Sequence, residues 1–139
     1  MASELKVDKF TGVTTAGSID VVGEGNSTTT NLQQGLCKCW NNFDALGTFT
    51  LQDSFNVSSL ADNGVGLYTV NFSNSMGNGN YATAGMAQNS LSESANLPLV
   101  GARSATLPST SSFKAAVTTA NTVLTDVDVV RVIAHGDLA

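Results

Sequence analysis

Apolar and small polar residues alternate in the middle of the chain, over 54–60 and again over 65–72. This two-residue period is typical of β-strands, and Asp62-Asn63-Gly64 lies between the two segments. Asparagine followed by glycine tolerates the positive φ of tight hairpin turns. A second turn cluster at 73–80 precedes renewed alternation at 81–86. The pattern therefore predicts three strands that lie side by side.

The same period recurs in the rest of the chain after residue 35. It predicts further strands at 36–43, at 47–53 and, as a closing strand, at 126–134. Between 88 and 112 the pattern lapses into a long polar connection. Such connections usually lie on the surface.

The segment 111–119 fits two periods. Phe113, Val117 and Leu124 have helical spacing, whereas Phe113, Ala115 and Val117 alternate as in a strand. Threonines and β-branched residues favour pleated packing. We therefore predict a strand, which pairs with the closing strand after a short turn.

In the first strand of the body, Leu36 and Trp40 share one face, and Cys37 and Cys39 share the other. We assign Trp40 to the core. Zinc would need four ligands, and the chain offers these two thiols and His135. A disulfide between residues two apart in a strand is strained. We therefore interpret both cysteines as small core residues.

Residues 1–35 differ from the rest of the chain. Alternation predicts short strands at 5–9 and 19–22, while 23–31 is rich in Gly and Thr and has almost no apolar residue. This region cannot form a core alone. We interpret it as an extended N-terminal arm whose apolar residues need the body of the same chain, or a neighbouring chain, for burial. A disordered tail is the alternative.

Composition supports an all-β fold. Gly, Asn, Ser and Thr make up 57 of the 139 residues, while only 12% of residues are charged. Helices usually expose straight-chain charged residues, which this chain lacks, so strands and turns are favoured. We predict an antiparallel β-sandwich or jelly-roll-like body over 36–139, preceded by the arm over 1–35.

The charge balance limits the possible partners. The formal net charge is −5, with four lysines and two arginines, so we expect no binding to nucleic acid or to anionic lipid. No segment reaches the ~18 apolar residues of a membrane helix. The N-terminus also lacks the apolar core of a secretion signal. We expect the protein to be made and folded in the cytosol.

No residue pattern points to catalysis. The chain has no G-x-S-x-G element and no acid pair spaced for glycoside chemistry. We predict no catalytic, cofactor-binding or metal-binding residue, and no enzyme. His135 is interpreted as a polar strand end. Trp40 and Tyr81 could stack on a sugar, but packing is the simpler role for each. The connection at 88–112 is the better candidate for contact with a receptor.

Several segments resemble a module frequent in tailed bacteriophages of marine bacteria, including cyanobacteria. The matching segments are 5–8 (LKVD), 38–44 (KCWNNFD), 53–59 (DSFNVSS), 62–72 (DNGVGLYTVNF), 80–81 (NY) and 135–137 (HGD). Together they extend over nearly the whole chain. The block at 53–72 is the most specific part.

This resemblance implies a virion structural protein, usually labelled tail-fibre-like, built from β-rich modules that commonly form homotrimers. It implies no reaction. The chain lacks the long repetitive shaft of a full-length fibre, so a head-decoration protein that stabilises the capsid lattice is the alternative. A glycan-binding module is the rival from another class. Low charge with 42% hydrophobic residues also favours assembly, because a free monomer would expose apolar residues and sheet edges.

Overall fold

The computed structural model describes residues 4–15, 17–89, 99–102 and 107–139. The chain divides into two compact units, Met1–Leu36 and Cys37–Ala139. The first unit contains the antiparallel strands β1 (Asp20–Val22) and β2 (Thr29–Asn31), followed by the helical turn α1 (Leu32–Gly35).

Local hydrogen bonds explain the elements of the first unit. The Gly23 amide donates to the Thr28 carbonyl at 2.8 Å and closes the connection between β1 and β2. The Asn31 side-chain oxygen accepts from the Gln33 and Gln34 amides at 2.9 and 3.3 Å, which caps α1. Alternation along the sequence predicts neither β2 nor α1, because both depend on these turn and cap bonds.

The strand predicted at 5–9 is wrong, because the described residues 4–15 contain no strand. Leu5 and Val7 are exposed, and alternation alone does not stabilise a strand that has no paired neighbour. The strand predicted at 19–22 is present as β1. Since β1, β2 and α1 form a hairpin and a helical turn, the extended arm predicted for 1–35 is not confirmed.

The second unit is a β-sandwich of two four-stranded antiparallel sheets, which confirms the predicted all-β class. Its strands are β3 (Cys39–Asp44), β4 (Thr50–Phe55), β5 (Val57–Asp62), β6 (Leu67–Phe72), β7 (Ala82–Gln88), β8 (Leu99–Ala102), β9 (Ser112–Thr118) and β10 (Val129–His135). The first sheet has the order β4-β3-β10-β7, and the second sheet has the order β5-β6-β9-β8.

Alternate residues of the central strands form the core between the sheets. The core residues are Cys39 and Phe43 of β3, Tyr68, Val70 and Phe72 of β6, Phe113, Ala115 and Val117 of β9, and Val130, Val132 and Ala134 of β10. The Phe43 ring meets Tyr68 and Phe49 edge to face, with centroid distances of 5.1 and 5.7 Å. Every second residue of these strands is therefore committed to the core.

One residue, Asn56, carries the chain from the first sheet to the second. It separates β4 from β5 and has a φ of 57°, which asparagine tolerates better than most residues. Its side-chain amide donates to the Lys38 and Asn74 carbonyls at 3.0 and 3.1 Å. Its side-chain oxygen accepts from the Asn74 amide at 2.7 Å. These bonds hold the corner between two edge strands.

Two predicted strand pairings are wrong. β7 pairs with β10 instead of β6, and β10 pairs with β3 and β7 instead of β9. The predictions assume that consecutive strands are neighbours, whereas in a sandwich consecutive strands can lie in opposite sheets. The β5–β6 hairpin is confirmed, although β4 and β5 separate at Asn56 and not before Ser54. The strand at 111–119 is confirmed as β9.

The turn that leads into β6 is held by Asp126. Its Oδ1 accepts from the Gly66 amide and from the Tyr68 hydroxyl, each at 2.7 Å. Gly66 has a φ of 65°. A Cβ at this position would lie 2.5 Å from the Val117 carbonyl oxygen and 2.7 Å from the Thr125 amide nitrogen. Both the backbone conformation and the space therefore require glycine.

We expect Gly66→Ala to lower the free energy of unfolding by at least about 2 kcal/mol, because left-handed strain adds to the backbone overlap. Urea unfolding followed by circular dichroism measures the change. Gly101→Ala is the matched control, since a Cβ there meets nothing within 4 Å. Its stability should stay within about 1 kcal/mol of the native protein. Equal stabilities for the two variants would contradict the assignment of Gly66.

Candidate functional site

The outer surface of the first sheet carries an apolar row that crosses all four strands. Trp40 of β3 lies directly opposite Phe55 of β4 on one side and Ile133 of β10 on the other. Ile133 in turn lies opposite Ala84 of β7. Directly opposite residues of antiparallel strands have Cβ atoms about 4.5–5.5 Å apart. Each side chain of the row therefore lies beside the next.

The neighbouring row on the same surface has a mixed character. Asn42 of β3 lies opposite Asp53 of β4 and Arg131 of β10, and Arg131 lies opposite Met86 of β7. We call these two rows together the Trp40 face. A depression of about 280 Å³ on this face is lined by Ala84, Gly85, Met86, Arg131 and Ile133.

The apolar side chains of the Trp40 face reach solvent. Met86 is 62% exposed, Phe55 51%, Ile133 41% and Trp40 36%. Single exposed apolar residues are ordinary on protein surfaces, whereas contiguous ones are typical of interaction sites. The arrangement can bury apolar surface against another molecule. It also presents one acidic and one basic side chain, Asp53 and Arg131, to any molecule that binds there.

The prediction that Trp40 belongs to the core is wrong. The inward face of β3 is occupied by Cys39, Asn41 and Phe43. The amide of Asn41 interrupts the apolar pattern of that face, so the sequence alone does not identify it as the core face. Because side chains alternate along a strand, burial of Phe43 turns Trp40 outward.

The two cysteines occupy different environments. Both are free thiols, Cys39 buried and Cys37 half-buried. The Cys37 thiol donates to the Cys39 carbonyl at 3.0 Å. The core position predicted for Cys39 is confirmed, whereas Cys37 precedes β3 and stays partly accessible. Among the described residues, no group of three or more His, Cys, Asp or Glu is placed to hold a metal ion.

Tyr81 is buried, with 8% of its surface exposed. Its hydroxyl lies 3.0 Å from the carbonyl oxygens of both Ser109 and Ser112 and donates to them. A buried ring cannot stack on a sugar, so the structure does not support Tyr81 as a glycan-binding residue. It packs edge to face against Phe72, with ring centroids 5.6 Å apart.

His135 is the last residue of β10 and is half-buried, in agreement with its interpretation as a strand end. The connection at 88–112 contains β8, which pairs with β9. Residues 90–98 and 103–106 of that connection lie outside the described residues, and its contact with a receptor stays a prediction. No helix in the described part of the chain is long and apolar enough to cross a membrane.

Sequence reasoning misses a buried polar residue in the core, Asn41. It is 2% exposed, and neither its Oδ1 nor its Nδ2 has a hydrogen-bond partner among the described residues. Burying an amide without a partner costs about 1–3 kcal/mol. The one signal in the sequence is that Asn41 has the same strand parity as Cys39 and Phe43.

We expect Asn41→Val to raise the free energy of unfolding by about 1–2 kcal/mol, because it removes the two unpartnered polar atoms and suits a strand. Asn56→Ala is the contrasting variant. It deletes the side-chain bonds of the corner and should lower stability by about 2 kcal/mol. Chemical denaturation of both variants tests the pair. A loss of stability in Asn41→Val would contradict the conclusion that the Asn41 amide has no hydrogen-bond partner.

Stability should fall at alkaline pH. Burial, with a smaller effect of Cys37, raises the pKa of Cys39 from 9.0 to about 12, and burial followed by the effect of Cys39 raises the pKa of Tyr81 from 10.0 to about 12. Burial and Asp126 also raise the pKa of Tyr68 above its ordinary value. In each case the folded state keeps a proton that the unfolded state loses.

The stabilisation from these groups is therefore complete below pH 9 and declines as the pH rises toward 12. Each group contributes a slope of at most about 1.4 kcal/mol per pH unit. Denaturant unfolding at pH values from about 7.5 to about 10.5 covers the first part of this decline and measures its slope. Cys39→Ala should flatten the first part of the curve. An unchanged slope in that variant would show that Cys39 does not contribute.

The comparisons with known proteins give no match. No family model matches the chain, and no curated protein or solved structure matches it either. Any functional conclusion therefore rests on the residues and the geometry of this chain.

Proposed function

We propose that the protein is a structural subunit of a bacteriophage virion, a homotrimeric tail or fibre-like subunit that can contact the host surface. The observation that carries the proposal is the Trp40 face, a contiguous apolar row on one side of a β-sandwich. A surface of this kind suits a protein that works by association. The resemblance of 53–72 to virion modules supplies the biological setting.

The residues that carry the resemblance act mainly on the fold. Asn56 holds the corner between the sheets, and Asn63-Gly64 forms the β5–β6 turn, where the Asn63 amide donates to the Leu67 carbonyl at 2.8 Å. Gly66 and Tyr68 both donate to Asp126. The resemblance thus supports a shared body architecture and the homotrimer, and the Trp40 face supplies a surface for association with a further molecule.

A head-decoration role uses the same properties with a different partner. In that role the Trp40 face would bind a capsid protein, and copies of the chain would meet only on the capsid lattice. The exposed Leu5, Phe10 and Val13 of the first unit offer additional apolar contacts for either role. Mass in solution separates the two roles, because a tail or fibre subunit assembles without the lattice.

For the tail or fibre role, we expect the purified 14.3 kDa chain to sediment as a trimer or as a multiple of that trimer. Analytical ultracentrifugation from about 1 to about 100 µM measures this, since association depends on concentration. Replacing the apolar row, as in Trp40→Ser with Ile133→Ser, should weaken association through the Trp40 face. Val65→Ser is the matched control, because Val65 is exposed but lies in the β5–β6 turn.

A monomer throughout this range would contradict the homotrimer and favour the decoration role. Quantitative mass spectrometry of particles of the phage that encodes the chain tests the virion role itself. A fixed copy number is expected. Absence of the chain from purified particles would overturn the virion role whatever its oligomeric state.

A further inference from the structure

We propose that the Trp40 face binds a second copy of this chain around a two-fold axis that runs parallel to β3. This contact involves the body alone and does not depend on whether the protein belongs to a virion. Two charged and three apolar side chains of β3 and its two neighbouring strands form it.

The part of the Trp40 face formed by β4, β3 and β10 is balanced about β3, and β7 lies outside this part. Asp53 and Arg131 both lie directly opposite Asn42, one on each neighbouring strand. Phe55 and Ile133 flank Trp40 in the same way. Adjacent strands are about 4.8 Å apart, so the acid and the base are roughly 10 Å from each other. In the described part of the chain, the Asp53 and Arg131 side chains form no ion pair with each other.

A two-fold axis along β3, in the plane of contact, exchanges the two sides of the face. It places β4 of one copy over β10 of the other. Asp53 of each copy then faces Arg131 of the other copy, and Phe55 faces Ile133. An isologous interface requires this reciprocity, in which residue i contacts residue j and j contacts i. The contact contains two ion pairs beside an apolar centre formed by the two Trp40 side chains.

The other in-plane axis, perpendicular to the strands, does not satisfy the charges. If it passes between the rows, Arg131 lies over Ile133 and Asp53 over Phe55, so each charge is buried against an apolar side chain. If it passes along the charged row, Asp53 meets Asp53 and Arg131 meets Arg131. Both arrangements carry a large desolvation or repulsion cost. If the axis passes along the apolar row instead, the charged rows of the two copies lie about 14 Å apart and neither charge meets its opposite. Charge complementarity therefore selects the axis parallel to β3, which also gives the aligned packing that sheets favour.

Charge reversal in full-length chains tests this geometry. In Asp53→Arg the new arginine faces Arg131 of the other copy, and in Arg131→Asp the new aspartate faces Asp53. We expect each variant to associate at least about tenfold more weakly than the native chain. An equal mixture of the two variants should regain native association as a heteromer, because both contacts then join opposite charges. The variant with both changes should also associate like the native chain.

Two controls keep the result specific. Glu24→Arg and Lys9→Asp make the same changes of charge at exposed positions of the first unit, and they should leave association unchanged. Circular dichroism and thermal unfolding verify that each variant is folded. Sedimentation with one variant fluorescently labelled follows the mixed species directly.

The expected native species contains an even number of chains, two if only this face associates and six if it joins two homotrimers. Native association of either single variant, or failure of the mixture to recover, would overturn the two-fold contact. So would a monomeric native chain at about 100 µM. A species of three chains that neither reversal affects would overturn the contact and leave the proposed homotrimer standing, whereas a dimer alone would do the opposite.

Discussion

The body depends on the alternation that sends every second residue of four central strands into one shared apolar layer. Phe43 and Tyr68 meet across this layer with ring centroids 5.1 Å apart, which couples the register of β3 to that of the opposite sheet. A slip of one residue in β3 would bring Trp40 inward and expose Phe43. The outward position of Trp40 is therefore a consequence of core packing. The apolar row on the outer surface exists because the core fixes which residues of β3, β4 and β10 face away from it.

Polar side chains join the elements that this apolar layer holds together. Asn56 is itself left-handed, and its side-chain hydrogen bonds hold the corner between the sheets. Asp126 accepts a hydrogen bond from the left-handed Gly66 at the start of β6. Each of these positions needs a particular residue type, because backbone conformation and hydrogen bonding leave little choice. Two of the three lie in the block at 53–72. Because the fold requires these residue types, a motif that contains them is a stronger argument for a shared architecture than for a shared binding partner.

Local rules predict the parts of the fold that depend on neighbouring residues. The β5–β6 hairpin follows from Asn63-Gly64 and the flanking alternation, and β9 follows from its β-branched residues. The wrong pairings of β7 and β10 depend on contacts between residues far apart in sequence, which alternation does not encode. The Trp40 face could not be predicted from the sequence for a related reason. Its recognition requires knowing which face of β3 is buried, and the buried Asn41 hides that face. Trp40, Phe55 and Ile133 become neighbours only when the strand order is known.

The composition of the chain influences how such a face can function. Only 12% of the residues are charged, so solubility depends largely on hydroxyl and amide groups, which cost less to remove from water than charges do. On the Trp40 face the charged side chains are Asp53 and Arg131, and the remaining members of the two rows are apolar or, in Asn42, an amide. Association therefore requires desolvation of few charges, and the two that are present are spaced so that a symmetric partner can neutralise them. A chain with more lysine and glutamate on this surface would be more soluble as a monomer and would associate less readily. Sparse surface charge, which in general promotes aggregation, thus also favours ordered assembly.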